Sequence, residues 1–386
     1  MDEYSCFFSN DDGSLVARSS ADAPTFDNSK RRVIQYIDYQ DGMDQEEGHG
    51  THCSGSVLGM TTNPTFYNHS GHAPGAKLAF FDMESDEGFG FYIDMEVVLN
   101  CAYSAGAKLS SNSYGGMSNN YDDDTLGVDA FSNDNDDYLA LFAAGNEGNE
   151  GYYSLSGASI AKNSVGVGAS ESMDGHDIGN MAEFSSIGPT FDNRYQKYCE
   201  GHYIYYQSCP VVTLSLLLSS PSSSCLRIKP DVVMPGHSTA SARSSGLAST
   251  SCDVAHMSGT SMATPATAGV AAQIRQYFED SSFWETNCAA SSSSFVTAST
   301  LCGGGAFSPR GATVKALLVH SGEPMVKYNS PIPYCYGYDE VTGNVTDPEG
   351  CDTCNGNLSS FFSSFFSYFS LPLFSHFLPA GLSIFC

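Results

Sequence analysis

Residues 258–265 read Ser-Gly-Thr-Ser-Met-Ala-Thr-Pro and continue as Ala-Thr-Ala-Gly-Val-Ala-Ala-Gln-Ile-Arg. Ser261 stands where a glycine-bearing turn passes into a helix, because Val270, Ala271 and Ile274 recur at helical spacing. Pro265 is expected in the first turn, where a missing N–H costs nothing. A hydroxyl at a helix N-terminus faces unpaired backbone N–H groups and the positive end of the helix dipole. That setting suits a nucleophile whose attack creates an oxyanion. A second glycine-framed helix start, Gly48-His49-Gly50-Thr51-His52-Cys53-Ser54-Gly55, carries a histidine. A third string, Ala143-Ala144-Gly145-Asn146-Glu147-Gly148, follows the apolar run 138–142 and reads as a loop leaving a buried strand. Base, amide donor and hydroxyl on separate loops are the parts of acyl-transfer catalysis. The plain alternative for Ser261 is a cap on an ordinary buried helix.

These three strings, in this order, resemble the subtilases, the subtilisin-like serine proteases. Further strings fit the same family: Ala73-Pro74-Gly75-Ala76, Ser111-Asn112-Ser113-Tyr114-Gly115, Phe184-Ser185-Ser186-Ile187-Gly188-Pro189 and Lys229-Pro230-Asp231-Val232-Val233-Met234-Pro235-Gly236. The resemblance covers roughly residues 30–190 and 227–325. It implies Ser261 as nucleophile, His49 as general base and Asn146 as oxyanion donor. It also implies Ser113, Tyr114 and Gly115 as an edge that pairs with the substrate backbone and walls a specificity pocket. His52 and the neighbours Thr260 and Met262 are expected to serve geometry. Other hydrolase templates fail. The α/β-hydrolase elbow needs Gly-x-Ser-x-Gly, and Ala263 stands where its last glycine belongs. No Gly-Asp-Ser-Gly string occurs.

The family order places an aspartate before the histidine, at the end of a first buried strand in an Asp-(Ser/Thr)-Gly string. Residues 1–48 contain no such string. Asp38 ends an apolar strand, but only ten residues separate it from His49 and it is followed by Tyr-Gln. Met1-Asp2-Glu3-Tyr4-Ser5-Cys6-Phe7-Phe8 matches the segment that follows the family's aspartate. The acid is therefore expected upstream of Met1, with Asp2 as the fallback. In subtilisin, losing that carboxylate alone lowers kcat by about 3 × 10⁴. Two functions follow: a serine endopeptidase hydrolysing peptide bonds through an acyl-enzyme, or a non-catalytic peptide-binding scaffold that has lost the acid.

Sixteen basic against 43 acidic residues give a formal charge of −27, which excludes a nucleic-acid-binding face. Protein or peptide substrates remain as partners, and no membrane association is expected. The chemistry requires no cofactor, while structural calcium stays open. The acidic clusters Asp122-Asp123-Asp124 and Asp134-Asn135-Asp136-Asp137 lack EF-hand spacing and read as solvated loops. Thirteen cysteines and the sequons at Asn68, Asn344 and Asn357 point to a secreted or lumenal protein. Pairing is not deducible, and Cys53 reads as a small buried residue behind the histidine loop or half of a disulfide. Cys351 and Cys354 fit a disulfide or a free pair better than zinc.

Short apolar runs alternate with glycine-rich loops and helical patterns, which predicts an α/β fold: a doubly wound, mostly parallel sheet flanked by helices. Residues 77–81 read as a strand. Residues 92–107 read as a helix with Val97, Val98 and Cys101 on one face, and 107–113 as the next strand. Residues 1–194 and 227–330 form the two parts of one catalytic domain. Residues 195–226 are an anomalous insert, and 331–357 begin a C-terminal extension. Residues 358–386 are a Phe/Ser-rich tail without a single Asp, Glu, Lys or Arg. The insert and tail have the composition of translated pyrimidine-rich introns. The rival readings are a loop closed by Cys199 and Cys209, and a membrane anchor interrupted by Pro372 and Pro379.

Overall fold

A computed structural model describes residues 1–190, 227–282 and 306–323, apart from residues 11, 41, 43, 45, 86–87, 90–93, 117 and 173–177. It also describes Trp284, Met325 and short strands beyond residue 326. The insert at 195–226, Cys199, Cys209, Cys351 and Cys354 lie outside the described residues, as does most of 331–380.

The apolar runs form one sheet. Its strands are β1 (Arg18–Ser19), β2 (Val33–Asp38), β3 (Lys77–Asp82), β4 (Ala107–Asn112), β5 (Leu139–Ala143), β6 (Val165–Ser170), β7 (Asn180–Met181) and β8 (Val232–Pro235). The hairpin of β9 (Thr239–Ala242) and β10 (Val254–Met257) stands apart from it. Two later strands, β11 (Lys327–Tyr328) and β12 (Gly381–Phe385), complete the ten-stranded sheet. The order is β1-β2-β3-β12-β4-β5-β6-β7-β11, with β8 also on β6. All pairs are parallel except β6–β7.

The sheet is covered on both faces, which is why its central strands are buried almost throughout rather than at alternate residues. The period of two splits each strand between two cores. Leu78, Phe80, Leu109, Leu139 and Leu141 join one core with residues of helices α1 (His49–Leu58) and α4 (Thr260–Glu279). Ala79, Phe81, Ala140 and Phe142 join the other with α2 (Met95–Ser104) and α3 (Asp123–Asp134). Helix α5 (Gly311–Ser321) adds Val314 and Leu318 to the first core. The fold is α/β, a mostly parallel sheet flanked by helices. Within α2, Val98 and Cys101 are buried as expected, but Val97 is 38 % exposed. The helix starts three residues later than its apolar pattern suggests, capped by Asp94, whose side chain accepts from the Glu96 N–H.

Strand β12 comes from the end of the Phe/Ser-rich tail. It lies between β3 and β4, running parallel to both, with Phe385 in register with Phe81 on one side and Asn112 on the other. An interior position in the sheet is thus filled from the far end of the chain.

Candidate active site

Parallel strands send their following loops to one edge, and helices returning across the sheet start at that edge. Ser113 directly follows β4, and Asn146 lies just beyond β5. His49 opens α1, and Ser261 is the second residue of α4. The three loop strings therefore meet for a topological reason.

Before α4, Gly259 has φ +155°, a backbone that side-chain-bearing residues rarely adopt. The helix has no side-chain cap of its own. Instead the Asn146 carbonyl oxygen accepts from the Thr260 N–H at 2.9 Å and from the Thr260 hydroxyl at 3.1 Å. The Thr260 hydroxyl also accepts from the Gly145 N–H at 3.2 Å. Because a backbone N–H can only donate, the Asn146 atom it meets is the oxygen. The amide NH₂ then lies beside Gly259, at the mouth of the helix. Asn146 as a residue is exposed.

The Ser261 hydroxyl donates to the Ser113 carbonyl at 3.2 Å, and the Ser113 hydroxyl donates to the Ser261 carbonyl at 2.9 Å. The Cys53 thiol donates to that same carbonyl at 3.4 Å. Cys53 Sγ also lies 3.9 Å from His49 Nε2, so one side chain touches both the histidine and the serine residue. Cys53 is a buried thiol outside any disulfide, which decides between its two expected roles. Pro265 corrects the expectation drawn from its sequence position. The helix begins at Thr260, so Pro265 is its sixth residue and lies beyond the four N–H groups that a helix start leaves unpaired.

His49 is half-buried at the start of α1, after Gly48 with φ +61°. A Cβ at Gly48 would stand 2.4 Å from the Ser244 Cβ, so both dihedral and space demand glycine. No residue at the helix boundary supplies a side-chain cap. The Asp44 carboxylate does so from four residues upstream, accepting from the Thr51 N–H at 2.8 Å and the Thr51 hydroxyl at 2.6 Å. A carboxylate there also complements the helix dipole. His52 is wholly buried, and its Nε2 lies 3.1 Å and 3.2 Å from the carbonyls of Thr239 and Ala255. Burial holds its pKa below the usual histidine value. The neutral ring pins α1 to the β9–β10 hairpin.

The expected substrate edge divides. Ser113 is buried against α4, while Gly115 is exposed. Tyr114 turns to the opposite core: its hydroxyl lies 3.2 Å from Met95 Sδ, and its ring meets Phe142 edge-on at 6.1 Å. The Ser156 hydroxyl donates to the Gly116 carbonyl at 2.9 Å, fastening the loop after β5 to this segment.

Asp2 is buried and accepts from the Tyr4 N–H on one oxygen, and from the Ser245 N–H and hydroxyl on the other. Asp38 lies 3.8 Å from Arg18 Nη1. The acidic clusters serve the scaffold. Asp122 caps α3, Asp136 pairs with Arg310 at 3.2 Å, and Asp137 pairs with Lys108 at 2.5 Å. Among the described residues, no group of three or more His, Cys, Asp or Glu side chains could hold a metal ion. Cys6 and Cys252 form a disulfide across 246 positions. No described helix is long and apolar enough to cross a membrane. The residues that sequence reasoning missed are Asp44 and Ser156. Asp44 lies outside the glycine-framed string that it caps, and Ser156 acts on a carbonyl forty positions away, so no local string announces either.

The Subtilase family model (Peptidase S8) matches residues 10–337. Among curated proteins, the chain is 28 % identical over 382 residues to the serine protease/ABC transporter B family protein tagD of Dictyostelium discoideum, covering 84 % of this chain and 20 % of that protein. It is 30 % identical over 342 residues to tagB of the same organism, covering 73 % of this chain and 17 % of that protein. The chain thus spans a fifth or less of the length of these relatives. Among solved structures, it is similar to Sphericase, with TM-score 0.43 and 22 % identity over 68 % of this chain and 77 % of that one. The self-cleaved protease domain of PatA gives TM-score 0.43 and 18 % identity over 83 % and 94 %.

Proposed function

From the premise that the chain belongs to the subtilase family of peptidases, we propose that it is a serine-type endopeptidase acting through an acyl-enzyme. The Ser261 hydroxyl attacks the scissile carbonyl. His49 takes its proton and returns it to the leaving amine. In the resting arrangement that proton goes to the Ser113 carbonyl, so attack begins with the hydroxyl turning from Ser113 toward the imidazole. The Asn146 amide and the Ser261 N–H receive the oxyanion, where fixed donors act without reorganising. Ser113–Gly115 take the substrate backbone by strand addition. Protein or peptide segments are the substrates, and no cofactor enters the chemistry. The setting is a secreted or lumenal compartment, a reading supported by the Cys6–Cys252 disulfide.

The observation that carries the proposal is the anchoring of Asn146. Its carbonyl is held by the Thr260 N–H and hydroxyl, which leaves its NH₂ beside Gly259, two residues before Ser261. A residue serving only a turn has no need of that orientation. The test is labelling of the full chain with a fluorophosphonate probe. Ser261 is expected to be modified in the parent, and neither Ser261→Ala nor His49→Ala is expected to react. Equal labelling of parent and His49→Ala would remove His49 as the activating base. A folded parent that is never labelled would favour the peptide-binding scaffold.

A further inference from the structure

Inside an α-helix, the carbonyl of residue 261 would accept from the N–H of residue 265. Residue 265 is proline, so that donor is missing, and its ring crowds the carbonyl four residues back. The Ser261 carbonyl is consequently free of the helix ladder, and two side chains from other elements take it. The Ser113 hydroxyl reaches it from the end of β4 at 2.9 Å, and the Cys53 thiol reaches it from α1 at 3.4 Å. The Ser261 hydroxyl closes the ring by donating back to the Ser113 carbonyl.

We propose that Pro265 and Ser113 are a coupled pair of positioning residues: the missing N–H of Pro265 frees the Ser261 carbonyl, and the Ser113 hydroxyl uses it to lock the substrate-side strand to the nucleophile. The inference rests on the endopeptidase reading for its effect on rate, but not for its effect on stability. A buried carbonyl that loses its partner is destabilising, whereas one that exchanges a side-chain donor for a backbone donor is not. The clamp also sets the distance from Ser261 to the loop carrying Gly115. Small misplacements of this kind are expensive in rate.

The pair is tested by a double-mutant cycle of Ser113→Ala and Pro265→Ala in the full chain, with Ser113→Thr as the conservative variant. For each protein the melting temperature and kcat on a peptide substrate are measured. Ser113→Ala is expected to lower the melting temperature in the parent and to lower it clearly less in the Pro265→Ala background. There the restored N–H satisfies the Ser261 carbonyl. Pro265→Ala alone is expected to keep or raise the melting temperature while kcat falls roughly tenfold with KM little changed. A purely structural role for the proline would instead move stability and rate together. Ser113→Thr, which keeps the hydroxyl, is expected to restore most of the rate. Strictly additive melting shifts around the cycle would overturn the proposal, as would a Ser113→Ala protein with unaltered stability and turnover. If the parent has no turnover, the endopeptidase reading fails, and the melting cycle alone decides the clamp.

Discussion

Asn146 shows how one side chain divides its two ends between jobs. Its oxygen is spent on Thr260, and its nitrogen stays available at the helix mouth. An amide aimed at a developing oxyanion matters more to the transition state than to the bound substrate. Asn146→Leu is therefore expected to lower kcat by about 10²–10³ with KM nearly unchanged. Asn146→Asp separates the two jobs. It keeps an acceptor for Thr260, so its thermal melt should stay near the parent's, yet it has no donor and should lose as much in kcat. An Asn146→Asp enzyme with full turnover would take this residue out of the site. At this scale the sequence was informative for a physical reason. His49, Asn146 and Ser261 each sit in a contiguous glycine-framed string, because each occupies a sharp turn that dictates its neighbours. Pro265 was misjudged because its meaning depends on where the helix begins. Moving the start to Thr260 turns a harmless proline into one that frees a carbonyl.

Helix α1 presents His49 without a cap of its own, and the Asp44 carboxylate stands in for one. Replacing a capping side chain with alanine costs about 1 kcal/mol. Asp44→Ala is expected to lose about that much in urea unfolding, whereas Asp44→Asn, which keeps an acceptor, should lose less. Identical stability for both variants and the parent would mean that the Thr51 bonds contribute nothing. Neither the cap nor its partner could be read from the chain, since Gly48 alone marks the boundary and the carboxylate lies outside the string. The strand at 77–81 and the helix of residues 95–104 were legible from apolar runs and spacing. The misassignment of Val97 shows the limit: its apolar neighbours suggest a buried face, but the start at Met95 sets a phase that leaves it at the surface. Strand β12 was illegible, because nothing local in a Phe/Ser-rich tail tells which pair of strands will accept it.

At the scale of the molecule, charge and covalent linkage at the N-terminal segment matter most. The Glu3 carboxyl is buried, and burial pushes its pKa up from 4.5 to about 7 despite the opposing charge of Arg18, whose Nη2 lies 3.4 Å away. The folded state therefore holds this proton more tightly than the unfolded chain. Its contribution is fully present below about pH 4.5 and is lost as pH rises through about 7. Glu3→Gln removes the titration. Its melting temperature relative to the parent's should rise from pH 4.5 to pH 8, and a flat difference would show that Glu3 is not strained by ionisation. The Cys6–Cys252 bond has another result. A backbone cut anywhere between 53 and 251 separates His49 from Ser261 in sequence but leaves both on one covalent molecule. Residues 247–250 are exposed, a natural place for such a nick. A chain cut there by added thermolysin should run as one band on a non-reducing gel and as two after dithiothreitol. It should also keep its fluorophosphonate reactivity until the reductant is added. A protein of this build can survive its own hydrolysis as a two-chain molecule, and the reducing power of its surroundings, more than the number of cuts, would set its working lifetime.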